Sequence, residues 1–441
     1  MTDDTPVTTR LADPARVDPG TPAGLSRRGL LGLAAGIGAA GLALGAGAGS
    51  VAGVAVGRAR ADTASAVHPY FGAHQAGVTT EVQDHLHFAS FDMMPRTSRD
   101  DLVELLQDWT YAASRITQGL DVSASGAVGG SPEAPPDDTG EAQGLHASAL
   151  TVTIGFGPTL FRSAEGEDRY GIAGRQPPLL QKLPPFLGED LDPGHTGGDL
   201  CIQACADDPQ VAVHAIRNLS RIAFGRARLR WSQLGFGRTS RTTDDQATPR
   251  NLFGYKDGTA NILASDRAAL DAHVWVAPDD EPAWLAGGTY LVARKIAMLV
   301  ETWDRVRLAE QDTIIGRDKA EGAPLSGGTE FTDPDFAAAG AGGAPLIDPA
   351  SHVRLAHPDF NDGVRILRRG YNYVDGNNAL GRLDAGLFFL AFQRSPEQFI
   401  RVQKALSTDL MNEYIRHVGS GIWAIPPGVQ PGSFVGDTLF A

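Results

Sequence analysis

Two stretches of the chain repeat a similar order of strand and helix patterns, and this repetition limits the fold more than any other feature. Over residues 86–236 the apolar periodicity predicts strand, helix, two strands, helix and strand. A second run begins at Gly287 and ends with the strand pattern GSGIWAIPPGV. Two βαββαβ units predict an α+β fold of two ferredoxin-like domains packed sheet to sheet, of the dimeric α+β barrel type. No internal sequence repeat accompanies this order, so the prediction depends on the elements alone.

Local signals set the ends of several elements. Ser98 is placed to cap a helix over residues 98–117, and Ser395 followed by Pro396 marks the start of another helix. The apolar pattern of residues 287–303 predicts one long strand.

Charge and cysteine content exclude several classes of protein. The 441 residues include 38 basic and 52 acidic side chains, and the net charge of −14 disfavours nucleic acid as a partner. Cys201 and Cys205 lie four residues apart in a predicted strand, too far from each other for a disulfide. The chain has no Cys-x-x-Cys-His sequence, so covalently attached c-type haem is excluded.

The N-terminus resembles a twin-arginine export signal. Arg27 and Arg28 precede an uncharged stretch rich in Gly and Ala, and Ala59-Arg60-Ala61 follows as a small-x-small cleavage pattern. We therefore expect a signal peptide over 1–61, an N-terminal domain over 62–250 and a C-terminal domain over 251–441. Export would place the protein in the periplasm, the cell envelope or outside the cell. A retained membrane anchor is the alternative, because an uncharged stretch of this length can span a bilayer.

Two segments carry residue types suited to a reactive site. In the sequence NLFGYKDGTAN, Asp257 lies between glycines, which is also compatible with simple turn chemistry. The stretch from Ser351 to Tyr373 contains His352, His357 and the pair Arg368-Arg369. Since the two arginines are flanked by apolar residues, at least one should point inward and need an anionic partner, either Asp257 or a carboxylated cofactor.

Together these motifs resemble the dye-decolourising haem peroxidases, in their exported, twin-arginine-dependent branch. The resemblance rests on GYKDGT, SHVRLA and RRGY, and it extends to FGAHQAG, TIIGRDKAEGAPL and DAGLFFLAFQ. It covers essentially the whole chain after the signal. The family fold, a pair of ferredoxin-like domains with haem b in the second, agrees with the element order above.

The resemblance implies a role for each matching residue. Asp257 would move the peroxide proton, Arg368 would stabilise the negative charge of the departing oxygen, and His352 would be the proximal ligand of the iron. Asp409 would accept the other N–H of that histidine. His357 stands where related sequences usually have Asn, so a second imidazole lies near His352. The remaining implied haem contacts are Gly258, Thr259, Ala260, Asn261, Arg317, Pro358, Asp359, Leu387 and Phe389.

The implied function is a haem b peroxidase of class EC 1.11.1, which reduces hydrogen peroxide and oxidises bulky dyes and phenolic compounds through a ferryl intermediate. The alternative is a deferrochelatase-like protein that handles haem and iron in an uptake system. The twin-arginine translocase is the expected export partner, and self-association and iron-uptake partner proteins are further alternatives. Because large dyes cannot enter a narrow pocket, electrons would pass through surface aromatic residues, for which the candidates are Tyr371, Tyr373, Tyr414 and Trp423.

Overall fold

A computed structural model describes residues 66–441 of the chain. The predicted signal peptide over 1–61 lies outside the described residues, and the boundary near residue 250 stays a prediction. Among the described helices, none has the length and apolar character needed to cross a membrane.

The predicted strands and helices are present in the predicted order, with further short elements between them. In sequence they are β1 (His85–Met93), α1 (Arg99–Ile116), β2 (Thr151–Phe156), α2 (Pro158–Phe161), β3 (Leu200–Ala206), α3 (Pro209–Ile222), β4 (Ala227–Arg238), α4 (Arg267–His273), β5 (Thr289–Met298), α5 (Val300–Trp303), α6 (Leu308–Ile315), α7 (His352–Ala356), β6 (Leu367–Arg368), β7 (Tyr371–Asn377), β8 (Leu383–Gln393), α8 (Pro396–Ala405), β9 (Ile415–Ile425) and α9 (Asp437–Phe440).

The two predicted sheets share their edges and close into a barrel. The strand order is β5-β9-β2-β3-β1-β4-β7-β8, and β8 returns to pair with β5. One seam joins β2 to β9 at Phe156 and Ala424, and the other joins β4 to β7 at Phe236 and Asn372. The short strand β6 pairs with β8 beside β7. The structure thus confirms the α+β fold, with the two halves joined edge to edge around a common interior.

Helices α1 and α3 cover the outer face of the first sheet. Leu102, Leu105 and Trp109 of α1 are fully buried in the apolar core of this half. The indole N–H of Trp109 donates to the carbonyl of Leu219 in α3 at 2.8 Å. Ser98 forms the predicted cap, and its side chain and that of Asp101 each bond the other's backbone N–H.

Aromatic side chains from both halves fill the inside of the barrel. Phe88 of the first half lies 5.3 Å from Phe388 and 5.4 Å from Trp423 of the second, measured between ring centroids. Cys201 and Cys205 are both buried in this interior as free thiols, which confirms the absence of a disulfide between them.

Two details of the predicted second half are wrong. The strand expected over residues 287–303 ends at Met298, because the backbone then turns into α5 after Leu299 donates to the carbonyl of Tyr414. Strand β7 was not predicted. Its two tyrosines, Tyr371 and Tyr373, point into the barrel, but Gly376 and polar residues after Val374 hide the period-two pattern.

Candidate active site

A cavity of about 260 Å³ lies against the outer face of the second sheet. Side chains of β5, β8 and β9 form its wall, among them Ile296, Leu387 and Ile415. The segment around Asp257 and helix α7 with His352 complete the lining. The two sequence motifs that carried the functional prediction therefore meet in one cavity.

Asp257 and Arg368 form an ion pair at this cavity. Oδ1 of Asp257 accepts from a terminal nitrogen of Arg368 at 2.7 Å, and its Oδ2 accepts from the Asn251 amide at 3.3 Å. Gly258 follows in the left-handed region with φ of 87°, and a Cβ there would lie 2.9 Å from the Cα of Ser240. Only glycine suits this position, so the backbone beside Asp257 is fixed by conformation and by close packing.

Asn261 fixes the backbone of Arg368. Its side-chain oxygen accepts from the Arg368 N–H at 2.7 Å, and its amide donates to the carbonyls of Arg368 and Arg241, each at 2.8 Å. Asn261 was predicted as a distal pocket residue. The structure places it behind the lining, where it acts through the position of Arg368.

The neighbouring arginine, Arg369, has a different environment. It is fully buried, and it donates to the carbonyls of Thr80 and Glu81 at 2.6 and 3.0 Å and to the side chain of Gln83. Arg368 has the predicted anionic partner, whereas the fully buried Arg369 is bonded only by neutral oxygen atoms and its Nε has no partner, so the prediction is wrong for Arg369. Those carbonyls belong to the first half of the chain, so Arg369 ties the RRGY motif to that half.

His352 is the first residue of helix α7, and its side chain enters the cavity. Nδ1 lies 2.6 Å from Oδ2 of Asp409, whose other oxygen accepts from the N–H of Met411 at 2.8 Å. Burial lowers the pKa of His352, but the negative charge and hydrogen bond of Asp409 raise it by more, so that the pKa stands above its ordinary value. Since Nδ1 is engaged by Asp409, Nε2 is the ring nitrogen left to face a ligand.

The second imidazole, His357, also lines the cavity but has other partners. Its Nδ1 accepts from the N–H of Asp359 at 3.3 Å, and its ring packs edge-on against Phe336. Pro358 joins the lining, whereas the side chain of Asp359 is 72% exposed and lies outside it. Of the two histidines, only His352 has a buried carboxylate, that of Asp409, at its Nδ1.

The long loop after α6 fixes two further predicted haem contacts, Arg317 and Thr259. Arg317 is buried at the cavity and donates to the carbonyls of Gly322 and Glu330, both at 2.7 Å. The Glu330 carboxylate accepts from Thr259 at 3.2 Å and pairs with Lys256. Gly258, Thr259 and Ala260 all line the cavity, as expected.

The wall of the cavity contains predicted and unpredicted residues. Leu387 and Phe389 line it as expected. Arg294 and His417 also line it, and sequence reasoning missed both. Arg294 is buried and pairs with Glu189 of the first half, while burial and then the charge of Arg294 lower the pKa of His417 to about 3. The one available signal was Arg294 itself, a charged residue within an apolar strand.

The four aromatic candidates for electron transfer are not at the surface. Tyr371, Tyr373 and Trp423 are fully buried inside the barrel, and Tyr414 is 7% exposed. The prediction of a surface position is wrong for all four, because β7 and β9 turn the first three rings inward and Tyr414 packs edge-on against Trp303 in a separate apolar cluster.

The residues present fit a haem group. The cavity offers an apolar wall, a histidine whose Nε2 is free of Asp409, and the buried Arg317, a cation suited to a carboxylate. The pair of Asp257 and Arg368 adds the acid-base and cationic groups that a bound peroxide requires.

Comparison with known proteins agrees with this geometry. Two family models match the chain, described as Dyp-type peroxidase, N-terminal, over residues 75–237, and Dyp-type peroxidase, C-terminal, over residues 248–430.

Individual relatives match over most of their length. A dye-decolorizing peroxidase from Thermobifida fusca is 37% identical over 83% of this chain and 84% of its own. A deferrochelatase from Escherichia coli K12 is 36% identical over 84% and 86%. The structure of an oxyferrous complex of DtpA from Streptomyces lividans superposes with a TM-score of 0.78, at 37% identity over 86% of this chain and 99% of that one. The fold, the cavity and these matches together show that the chain is a haem enzyme that belongs to the Dyp-type peroxidase family.

Proposed function

We propose that this peroxidase oxidises bulky dyes and phenolic compounds with hydrogen peroxide, with Asp257 and Arg368 as its catalytic residues. The observation that carries the proposal is the 2.7 Å ion pair of these two side chains in the cavity that also contains His352. The Thermobifida fusca relative, named for dye decolorisation, supports the choice of substrate class.

The chemistry that haem supplies is the binding of peroxide at its iron and the storage of two oxidising equivalents. Asp257 is positioned to take the proton from one peroxide oxygen and deliver it to the other, which then leaves as water. Arg368 stabilises the negative charge that develops on the departing oxygen, and its position is set by Asn261. His352, oriented by Asp409, would hold the haem iron through Nε2.

The test compares the haem-loaded wild type with Asp257→Asn and Arg368→Leu. Loss of general acid-base catalysis should slow the peroxide-driven change of the absorption spectrum by about 10²–10⁴-fold. Asp359→Asn is the matched control, because that carboxylate is exposed and outside the cavity. Stopped-flow rates equal to wild type in both distal variants would contradict the assignment.

A second candidate function is release of iron from haem, favoured by the relative named deferrochelatase. In that case Asp257 and Arg368 would serve binding. Incubating the haem-loaded protein with an iron chelator, without peroxide, separates the two functions. Appearance of metal-free porphyrin would support iron release. A stable haem spectrum would contradict iron release and leave peroxidase activity as the one proposed function.

We also propose that the chain is exported in folded form by the twin-arginine pathway, on the basis of Arg27, Arg28 and the uncharged stretch after them. Changing both arginines to lysine should leave haem-loaded precursor in the cytoplasm. Fractionation of cells expressing either form measures this, and undiminished export of the variant would contradict the route.

A further inference from the structure

A buried ion pair in the wall of the cavity joins the two halves of the chain. Arg294 of β5 lines the cavity, and its side chain is 1% exposed. Its partner is Glu189, whose side chain is 9% exposed and which lies in the segment between α2 and β3 of the first half. The guanidinium also donates to Oγ of Ser420 at 2.8 Å, and among residues 66–441 its Nε has no partner.

The Glu189 carboxylate is held in place by its own segment. The N–H of Phe186 donates to the second oxygen of this carboxylate at 3.0 Å, and the ring of Phe186 lies 5.6 Å from the guanidinium of Arg294. The N–H of Asp190, the next residue, donates to the carbonyl of His417 in β9 at 2.9 Å. The first half therefore places a fixed negative charge directly behind the arginine of the cavity wall.

Stability of the fold gives no reason for a charged pair at this position. The neighbouring residues of the wall, Ile296, Leu387 and Phe389, are apolar. Burying two charges costs much of what their attraction returns, and apolar residues of similar volume stabilise a protein as well or better. A fixed charge in a medium of low dielectric constant, however, acts more strongly on other charges than it would in water. The pair is therefore suited to control the electric field inside the cavity.

We propose that Glu189 sets the reduction potential of the haem by compensating the charge of Arg294. Arg294 lines the cavity and Glu189 does not, so Glu189 acts on the iron through the arginine in front of it. An uncompensated cation in the wall favours the ferrous over the ferric iron, because the ferrous iron carries one positive charge less. The carboxylate removes this bias and favours the ferric state. This role goes beyond the catalysis proposed for Asp257 and Arg368, because it gives the first half a part in the chemistry of the second.

The experiment measures the midpoint potential of the haem-loaded protein by spectroelectrochemistry in the absence of peroxide. Glu189→Gln leaves the charge of Arg294 uncompensated. It should raise the ratio of ferrous to ferric haem at a fixed potential about tenfold, a shift of about 59 mV. Glu189→Asp keeps the charge and should recover most of the wild-type potential. Adding Arg294→Gln to Glu189→Gln removes both charges and should bring the potential back towards the wild-type value.

The matched control is Asp375→Asn, which breaks an ion pair made by the next residue of the same strand. Asp375 lies 2.7 Å from Nζ of Lys295, and this nitrogen lies 4.8 Å from the ring centroid of Tyr373 on the inner side of the sheet. Neither member of this pair lines the cavity. Asp375→Asn should therefore shift the potential far less than Glu189→Gln does.

A wild-type potential in Glu189→Gln would overturn the proposal, and so would an equal shift in Asp375→Asn or a double variant that keeps the full shift. Arg294→Gln alone tests the pair from the other side if Glu189→Gln fails to load haem. The carboxylate that it leaves should lower the potential, and an unchanged or raised potential would contradict the proposal. Because no peroxide is present, these outcomes are independent of the catalytic roles of Asp257 and Arg368.

Discussion

The two halves of the barrel share an element order but treat the outer faces of their sheets differently. On the first sheet, α1 and α3 pack directly onto the strands, and Leu102, Leu105 and Trp109 are fully buried. On the second sheet, α8 contacts β5 and β8, while α7 leaves a cavity between itself and the strands. The same fold is a closed core in one half and a cofactor site in the other.

The outer face of the first sheet serves the stability of the fold, whereas that of the second sheet serves the binding site. Outward residues of the first sheet contribute apolar burial, whereas those of the second, such as Leu387 and Arg294, face the cavity. Substitutions in the first half should therefore mainly change the free energy of unfolding, and matched substitutions in the second half should mainly change haem binding.

The largest effect is expected at His352, the residue that the second half presents to the cavity. His352→Ala should abolish or scramble haem binding, because no other imidazole in the described chain has the orienting carboxylate of Asp409. His357→Ala should leave the Soret band nearly intact. Absorption spectra of the two purified variants test this, and the reverse pattern would show that His357 is the ligand.

A pair of leucines, one in each half, compares the closed core with the cavity wall. Leu105→Ala should lower the free energy of unfolding of the haem-free protein by about 2–5 kcal/mol, the usual cost of a cavity in a closed core. Leu387→Ala should cost less than Leu105→Ala, since part of that side chain already faces open space, and should instead speed haem loss. Urea unfolding and haem transfer to apomyoglobin measure the two quantities. Equal destabilisation would remove the distinction between the halves.

The most gradual change, spread over several pH units, concerns one histidine in each half. Burial lowers the pKa of His87 on β1 to about 4, and burial together with Arg294 lowers that of His417 on β9 to about 3. The unfolded chain binds the proton near pH 6.5, so between that value and the folded pKa it carries more protons than the folded chain. Stability is therefore fully present above pH 6.5 and falls as the pH drops.

Each histidine should contribute a slope of at most about 1.4 kcal/mol per pH unit in its window. For His87 the window ends near pH 4, and for His417 near pH 3. Urea midpoints of His87→Gln and His417→Gln between pH 7 and pH 4 test the assignment. The acid loss should flatten in each variant, and a slope unchanged from wild type would contradict it for that residue.

Periodicity and capping signals were sufficient to predict the α+β fold, because Ser98 and Ser395 each start a helix through local hydrogen bonds. The same local signals could not predict that the barrel closes, because its seams depend on pairings between residues far apart in sequence, such as Phe156 and Ala424. At the site, family motifs led to Asp257, Arg368 and His352. Arg294 and His417 were missed because their role depends on which face of a strand meets the cavity.

The seam between β2 and β9 bears on the order in which the protein is made. Strand β9 is the last strand of the chain, and it lies between β2 and β5, so the barrel stays open until residues 415–425 have been synthesised. Asp409, which orients His352, precedes this strand by only a few residues. A chain whose synthesis has not passed residue 425 has neither the finished cavity wall nor the oriented ligand. Cofactor loading therefore has to wait until the segment from Asp409 to Ile425 has folded against the strands made before it.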